Sequence, residues 1–323
     1  MTRVICGVDV CSQSLEARIG PTGASASFPN NPSGIAALCA FCDTHQVELV
    51  AMEATGGYEQ QAFAQLSEHG LAVSILNPRS VRQFAQSMGR LEKTDAIDAG
   101  MIGWYAEVKN SPSVCLAPQS QQHLRALVTR LRQLTEVRTA QLNQQRLVTD
   151  RAVQASFDKM LSFLEREIGK LEKTIAARID ADPLWRELNL AFRTIKGVAD
   201  RTVARVMAEM PEIGVLSNKT ISKLAGVAPL ANDSGKHQGK RAVRGGRAAL
   251  RQILFIVASV VGRHEPDFIA FRQRLAAAGK PPRVIRIALA HKLIVRLNAK
   301  ARQVRSRMIH SQLTPSPPAT VNG

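Results

Sequence analysis

Residues 3–28, RVICGVDVCSQSLEARIGPTGASASF, decide the fold of this chain. RVICGVDV is a β-rich run, LEARIG is a second, and Pro21 and Gly23 separate it from a shorter third, ASASF. Three strands in succession open a sheet. Beyond them the pattern alternates. PSGIAALCAFCDTH (32–45) reads as a helix, VELVAMEA (47–54) as a strand, YEQQAFAQLSEHG (58–70) as a helix closed by Gly70, and LAVSILNP (71–78) as a strand stopped by Pro78. This order predicts a mixed sheet with helices packed on its faces. Asp9 then lies in the first strand and Glu53 at the end of the fourth. Asp95 and Asp98, spaced i and i+3, share one face of the helix TDAIDAGMIGWYAEV (94–108).

These four acids are the chemical signal. An ionised carboxylate beside a Val, Ile or Met run is costly to bury unless a cation compensates it. Two Mg²⁺ ions about 3.5–4 Å apart on such a cluster, with Mn²⁺ as a substitute, would activate a nucleophilic oxygen and stabilise a leaving one at a phosphodiester. A nucleic-acid enzyme is therefore expected.

The composition agrees. With 323 residues, 45% of them hydrophobic, the chain is long enough for two cored domains and is neither disordered nor fibrous. Its formal net charge of +17 calls for a polyanionic partner. Residues 1–115 hold 7 Lys and Arg against 11 Asp and Glu, a net of −4, and the remainder carries +21. Acidic chemistry and basic grip thus occupy different stretches. Five cysteines without a signal peptide suit a reduced, cytoplasmic protein. The Cys39–Cys42 pair sits in an apolar helical run with no second pair at zinc-ligand spacing, which favours a structural role. No apolar stretch approaches the roughly 20 residues of a membrane span.

From about residue 118 the periodicity changes. Leu124, Leu127, Leu131 and Leu134, then Phe157, Leu161, Leu164, Ile168, Leu171 and Ile175, follow a heptad seam. It builds either an antiparallel helical hairpin or one long dimerising helix. IKGVADRT (195–202) has the form of a helix-hairpin-helix loop, with Ala199 where the usual pattern has a second glycine. It is either a phosphate grip through Lys196 and Gly197 or a plain inter-helix turn. In SGKHQGKRAVRGGRAALRQ (234–252), Lys236, Lys240, Arg241, Arg244, Arg247 and Arg251 crowd around Gly235, Gly239, Gly245 and Gly246, so backbone and cations can approach phosphate together. Ser234 stands at the head of that tract, a hydroxyl among guanidinium groups and a candidate nucleophile. The helix with Arg283, Arg286, Lys292, Arg296, Lys300 and Arg302 reads as an amphipathic helix with a solvated basic face, and the tail TPSPPATVNG as disordered.

Taken together, GVDVCSQ (7–13), EATGGY (53–58), ILNPRSVRQFAQSMGRLEKTDAIDA (75–99), IKGVADRT, LAGVAPLANDSGKHQGKRAVRGG (224–246) and FRQRLAAAGKPPRVIRIALAHKLIVRLNAKAR (271–302) resemble the transposases of the insertion-sequence one-ten family. These are the DEDD transposases related to the Piv DNA invertases. The resemblance runs from about Val4 to Arg302.

It implies an α/β-plus-α fold in four parts. These are a RuvC- or ribonuclease-H-like catalytic domain (1–115), a coiled-coil helical segment (116–184), a mainly helical transposase domain with the hairpin motif and the serine (185–312), and a disordered tail (313–323). It also implies that Asp9, Glu53, Asp95 and Asp98 are catalytic and hold the metal, and that Ser234 forms a covalent link to DNA. Lys196, Gly197, Gly235, Lys236, Lys240, Arg241, Arg244 and Arg247 are the expected nucleic-acid contacts. The implied partners are the DNA of an element's ends and its target, an element-encoded noncoding (bridge) RNA, and further copies of the chain in a homodimer or homotetramer. Two other readings stay open: a Holliday-junction endonuclease that uses the same acids with water as nucleophile, and a non-catalytic nucleic-acid-binding protein.

Overall fold

The computed structural model describes residues 3–89, 95–231, 233–234, 237–239 and 241–313, with the side chains of 95–97, 237–238 and 311–313 outside that description. The tail from 314 also lies outside the described residues. The chain folds as two compact units, 1–117 and 118–323.

In the first unit the strands expected in residues 3–28 are β1 (Ile5–Val10), β2 (Ser14–Ile19) and β3 (Ser25–Pro29). Then come α1 (Pro32–Thr44), β4 (Leu49–Glu53), α2 (Glu59–Glu68), β5 (Val73–Leu76), α3 (Pro78–Ser87) and α4 (Asp95–Val108). The sheet order is β3-β2-β1-β4-β5. The first three strands pair antiparallel, and β4 and β5 run parallel to β1, so the sheet is mixed as expected.

Both faces of the sheet are covered. Cys6, Val8, Val10, Val50 and Met52 pack with Ile35, Leu38, Cys39 and Cys42 of α1 and with Ala62, Phe63 and Leu66 of α2. Ile5, Leu49, Ala51 and Leu76 pack on the opposite face with Val81 of α3 and Ile102 and Ala106 of α4. Burial on both sides is why LVAM reads as a continuous apolar run instead of an alternating one. Cys39 and Cys42 are core residues. A hydrogen bond with Cys6, together with burial, pushes the Cys42 thiol up, and burial raises that of Cys39, so both stay protonated.

Helix α3 was not expected from the sequence. Its start is nonetheless written there: Pro78 occupies the first turn, where its missing N–H costs nothing, and the Asn77 side chain accepts from the Arg79 amide at 2.9 Å.

The second unit is mostly helical: α5 (Gln119–Gln145), α6 (Arg151–Ala181), α7 (Pro183–Arg193), α8 (Asp200–Glu209), α9 (Asn218–Leu224), α10 (Ala248–His264), α11 (Pro266–Ala277) and α12 (Pro282–Leu313). Between α9 and α10 lie two-residue strands β6 (Pro229–Leu230), β7 (Asp233–Ser234), β8 (His237–Gln238) and β9 (Ala242–Val243), paired β6 with β9 and β7 with β8.

The heptad stretch is an antiparallel hairpin. Arg138 pairs with Glu165 at 2.7 Å and Gln145 bonds Asp158 at 2.7 Å, so α5 and α6 run past one another in opposite directions. Asp150 turns the chain back by capping the Ala152 and Val153 amides. Leu124, Val128, Leu131 and Leu134 join Leu164, Ile168, Ile175 and Ile179 in one core that continues through α7, α8, α10 and α12. The seam therefore belongs to the unit's main core as well as to the hairpin. Asn298 of α12, fully buried, accepts from the Gly214 amide at 2.7 Å and donates to Leu216 O and to Asn218 Oδ1. Such complete satisfaction is what makes a buried amide tolerable. Among the described residues no helix is long and apolar enough to cross a membrane.

Candidate functional site

Strand alternation puts Ile5, Gly7 and Asp9 on one face of β1, and Leu49, Ala51 and Glu53 on the matching face of β4. The register pairs Ile5 with Leu49 and Gly7 with Ala51. Carried on by two residues, it sets Asp9 and Glu53 side by side where two parallel strands end. Each is half-buried.

That same face receives α4, because Gly7 has no side chain. A Cβ at this position would overlap the Ala99 carbonyl and the Gly103 amide. Half-buried Asp98 immediately precedes Ala99 in this crossing, and Asp95 is the first residue of α4, one turn earlier. Sheet and helix thus bring Asp9, Glu53 and Asp98 to one face of the first unit. The Asp95 side chain lies outside the described residues.

Glu16 extends the row. It stands opposite Asp9 in the β1–β2 ladder, and its Oε1 accepts from the Ser27 hydroxyl at 2.5 Å. Its only signal in the sequence was its position in the alternation of β2.

Carboxylate oxygens are the donors that hard divalent cations such as Mg²⁺ prefer, so the chemistry of the set suits such an ion. Among the described residues no three Asp, Glu, His or Cys side chains come close enough to hold a metal. A full site would have to draw on Asp95.

The loop that leaves Glu53 ends on a carboxylate at the start of α2 that the sequence reading did not single out. Glu59 is 5% exposed. It accepts from the Thr55 amide (3.1 Å), the Thr55 hydroxyl (2.6 Å) and the Gly57 amide (2.9 Å), and from the Gln60 side chain (2.9 Å). Burial alone would raise its pKa, but these donors outweigh burial and hold it at about 2.

Ser234 belongs to the second unit. It is exposed in β7, paired with His237 across the ladder to β8. Its neighbour Asp233 lies 3.7 Å from Arg241, just ahead of β9. Arg241 and Arg244 are exposed, whereas Gly235, Lys236 and Lys240 lie outside the described residues.

Two residues of this tract have partners within the fold. Arg247, expected to contact nucleic acid, makes a bidentate pair with Glu212 (2.6 and 2.7 Å) and donates to Glu209 O at 2.7 Å. This bonding holds the Arg247 guanidinium above its ordinary pKa. Glu212, which burial alone would push up, is held below its own. Both charges are committed inside the fold. Gly246, expected to let backbone approach phosphate, instead lies against the backbone of Gly226 and the Leu224 carbonyl, where a Cβ would not fit.

At IKGVADRT the chain does turn between α7 and α8, with Gly197 at φ +99. A Cβ there would meet Val260 Cγ1 at 3.1 Å and the Val261 amide at 3.2 Å. The Lys196 amide, which would face a phosphate on one of the two readings of this loop, donates to Glu265 Oε2 at 3.1 Å. Close packing on α10 thus explains the glycine, while the Lys196 side chain remains exposed.

The basic residues of α12 divide similarly. Lys292 donates to Asp267 O and lies over the Phe268 and Phe271 rings, Arg296 pairs with Glu265 and Asp267, and Arg302 donates to Leu216 O. Arg283 remains exposed.

Comparison with known proteins gives one consistent picture. Residues 6–153 match a model of DEDD-type IS110 transposases, described as a transposase, and residues 189–273 match that of the transposase IS116/IS110/IS902 family. Over 319 residues the chain is 27% identical to the pilin gene-inverting proteins of Moraxella bovis and Moraxella lacunata. The matched region spans 94% of this chain and 98% of each relative.

Proposed function

Because the chain belongs to the IS110 family of transposases, we propose that it cuts DNA at the ends of an insertion sequence and at a target, and exchanges the strands through a covalent serine link. The observation that supports this best is the placement of Asp9 and Glu53 side by side at the ends of parallel strands, on the face that receives α4 and Asp98. A structural acid has no need of such company, and the fold has devoted Gly7 to bringing the helix there. On this reading the first unit is a ribonuclease-H-like, RuvC-like catalytic domain.

Asp9, Glu53, Asp95 and Asp98 would hold Mg²⁺, or Mn²⁺ in its place, and the bound ions would stabilise charge at the scissile phosphate. Ser234 Oγ attacks phosphorus. The new Oγ–P bond forms as the bond to the 3′ oxygen breaks, the serine proton is lost, and the 3′ oxygen gains one. The 3′ hydroxyl of a partner strand then attacks the phosphoserine, restoring a phosphodiester and freeing Ser234. One ester is exchanged for another, so no nucleotide cofactor is required. Arg241, which lies near Asp233 next to the serine, and Arg244 are exposed cations of the same tract, and the exposed position of Ser234 suits a substrate as large as duplex DNA.

On this reading the site is composite, the acids of one copy acting with the serine of another within a homodimer or homotetramer. An element-encoded noncoding RNA, held by the +21 stretch, pairs with donor and target DNA. The reaction takes place in the cytoplasm.

The test is recovery of SDS-resistant protein–DNA adducts from cells carrying the gene with its native flanking DNA. Wild type should yield an adduct, Ser234→Ala none, and Asp98→Asn none while retaining DNA binding. Mg²⁺-dependent nicking that persists in Ser234→Ala, without adduct, would establish the water-using endonuclease instead. DNA binding without any cleavage in wild type would leave the non-catalytic reading.

A further inference from the structure

The acids Asp9 and Glu53 each lead into a loop, and one side chain ties the two loops together. Asn30 Nδ2 donates to the Cys11 carbonyl at 2.8 Å and to the Tyr58 carbonyl at 3.2 Å. Cys11 is two residues past Asp9, and Tyr58 is five past Glu53. The second loop contains Gly56 at φ +86 and Gly57 at φ +139, conformations that other residues rarely adopt. Unrestrained, such a loop would be mobile. Here the buried Glu59 carboxylate draws in the Thr55 and Gly57 amides and the Thr55 hydroxyl, and the Gln60 amide donates to Gly57 O at 3.1 Å. The backbone of residues 55–60 is therefore fixed by hydrogen bonds from within and from Asn30.

What this fixed loop displays is an aromatic ring. Tyr58 is 56% exposed, and among the described residues it makes no ring contact. A single exposed hydrophobe is ordinary. A loop held by a buried charge on one side and a bridging amide on the other, with its ring contributing nothing to the core, is not. The fold spends polar interactions on the position of a side chain that its own packing does not use.

We propose that Tyr58 is a stacking platform for a base of the DNA strand next to the scissile phosphate, which would bind at the divalent ion that Asp9 and Glu53 help to hold. This rests on the strand-exchange reading above and adds a substrate contact to it. Every base has a π-face, so the contact tolerates any sequence, and a base–aromatic stack of about 1–3 kcal/mol corresponds to roughly 5- to 150-fold in affinity. Stacking also requires the base to leave its own helical stack, so the platform favours a strand that is already distorted or unpaired at the point of cleavage. Glu59 and Asn30 are then positioning residues, acting through the loop.

The experiment uses the full-length protein and overlapping duplex oligonucleotides that tile the native flanking DNA of the gene, with 5-iodouracil placed singly along them. Irradiation with Ca²⁺ in place of Mg²⁺, an ion that carboxylate oxygens also bind, should crosslink wild type through the peptide containing Tyr58. Tyr58→Phe should keep cleavage efficiency, and Tyr58→Ala should lower kcat/KM by about 5- to 150-fold with an unchanged melting temperature. The absence of a Tyr58 crosslink, or a Tyr58→Ala kcat/KM within twofold of wild type, overturns the platform. Crosslinking needs no cleavage, so the two readings fail separately: a wild-type protein that never forms the serine adduct sinks strand exchange without touching the crosslink result.

Discussion

At the scale of single residues, what a charge does depends on whether the fold has already used it. Arg247 and Arg244 are three positions apart in one basic tract, and sequence alone assigns them the same role. Glu212 separates them. Arg247→Ala should strip a half-buried carboxylate of its partner and cost about 1–3 kcal/mol of stability, read by urea unfolding. Arg244→Ala should leave stability within about 0.5 kcal/mol and lower nucleic-acid affinity, reducing the slope of log K against log salt by about one ion. Glu59 makes the complementary point. Its folded pKa, about 2, lies below the ordinary 4.5, so its contribution to stability is fully present above pH 4.5 and is lost as pH falls toward 2. The melting-temperature gap between wild type and Glu59→Gln should therefore be widest above pH 5 and close between pH 4.5 and 2. The four acids could be singled out as candidates because acids stand out beside apolar runs. Glu59 and Glu16 were not, since nothing local distinguishes a buried or a face-sharing carboxylate from a solvated one in an amphipathic segment.

At the scale of elements, the decisive contact is the crossing of α4 over β1 at Gly7. Gly7→Ala should push the helix off the sheet, costing about 1–3 kcal/mol and moving Asp98 away from Asp9 and Glu53. Cleavage should fall by more than the loss of folded protein, as judged by circular dichroism and activity on the same samples. The strands and the helices α1, α2 and α4 were readable from periodicity, because each is half or wholly buried and its apolar spacing records this. Helix α3 was missed because Asn77–Pro78 reads equally as a strand stop and as a helix start. The hairpin of α5 and α6 was one of two readings because a heptad seam is satisfied alike by the same chain folded back and by a second copy. Only contacts such as Arg138 with Glu165 decide between them. The small ladders β6–β9 and β7–β8 were unreadable, since two residues are too few to show a period.

At the scale of the molecule, the division of charge and the division of the fold coincide. The net −4 of residues 1–115 falls within the first unit, and the second unit carries the +21. Each unit has cores of its own. Residues 118–323 expressed alone should bind duplex DNA with strong salt dependence, whereas residues 1–117 should not bind detectably under the same conditions, as fluorescence anisotropy would show. The ladder that carries Ser234 has a consequence of another kind. Two residues paired with two, with Asp233 and Ser234 exposed, add almost nothing to the global free energy of folding, so the ladder can open without the rest of the unit opening. Its amide protons should exchange with water nearly as fast as those of a free peptide. On the proposed mechanism the Ser234 hydroxyl would then be held rigidly only when a strand lies across it, and the clock of the reaction would be started by the arrival of DNA.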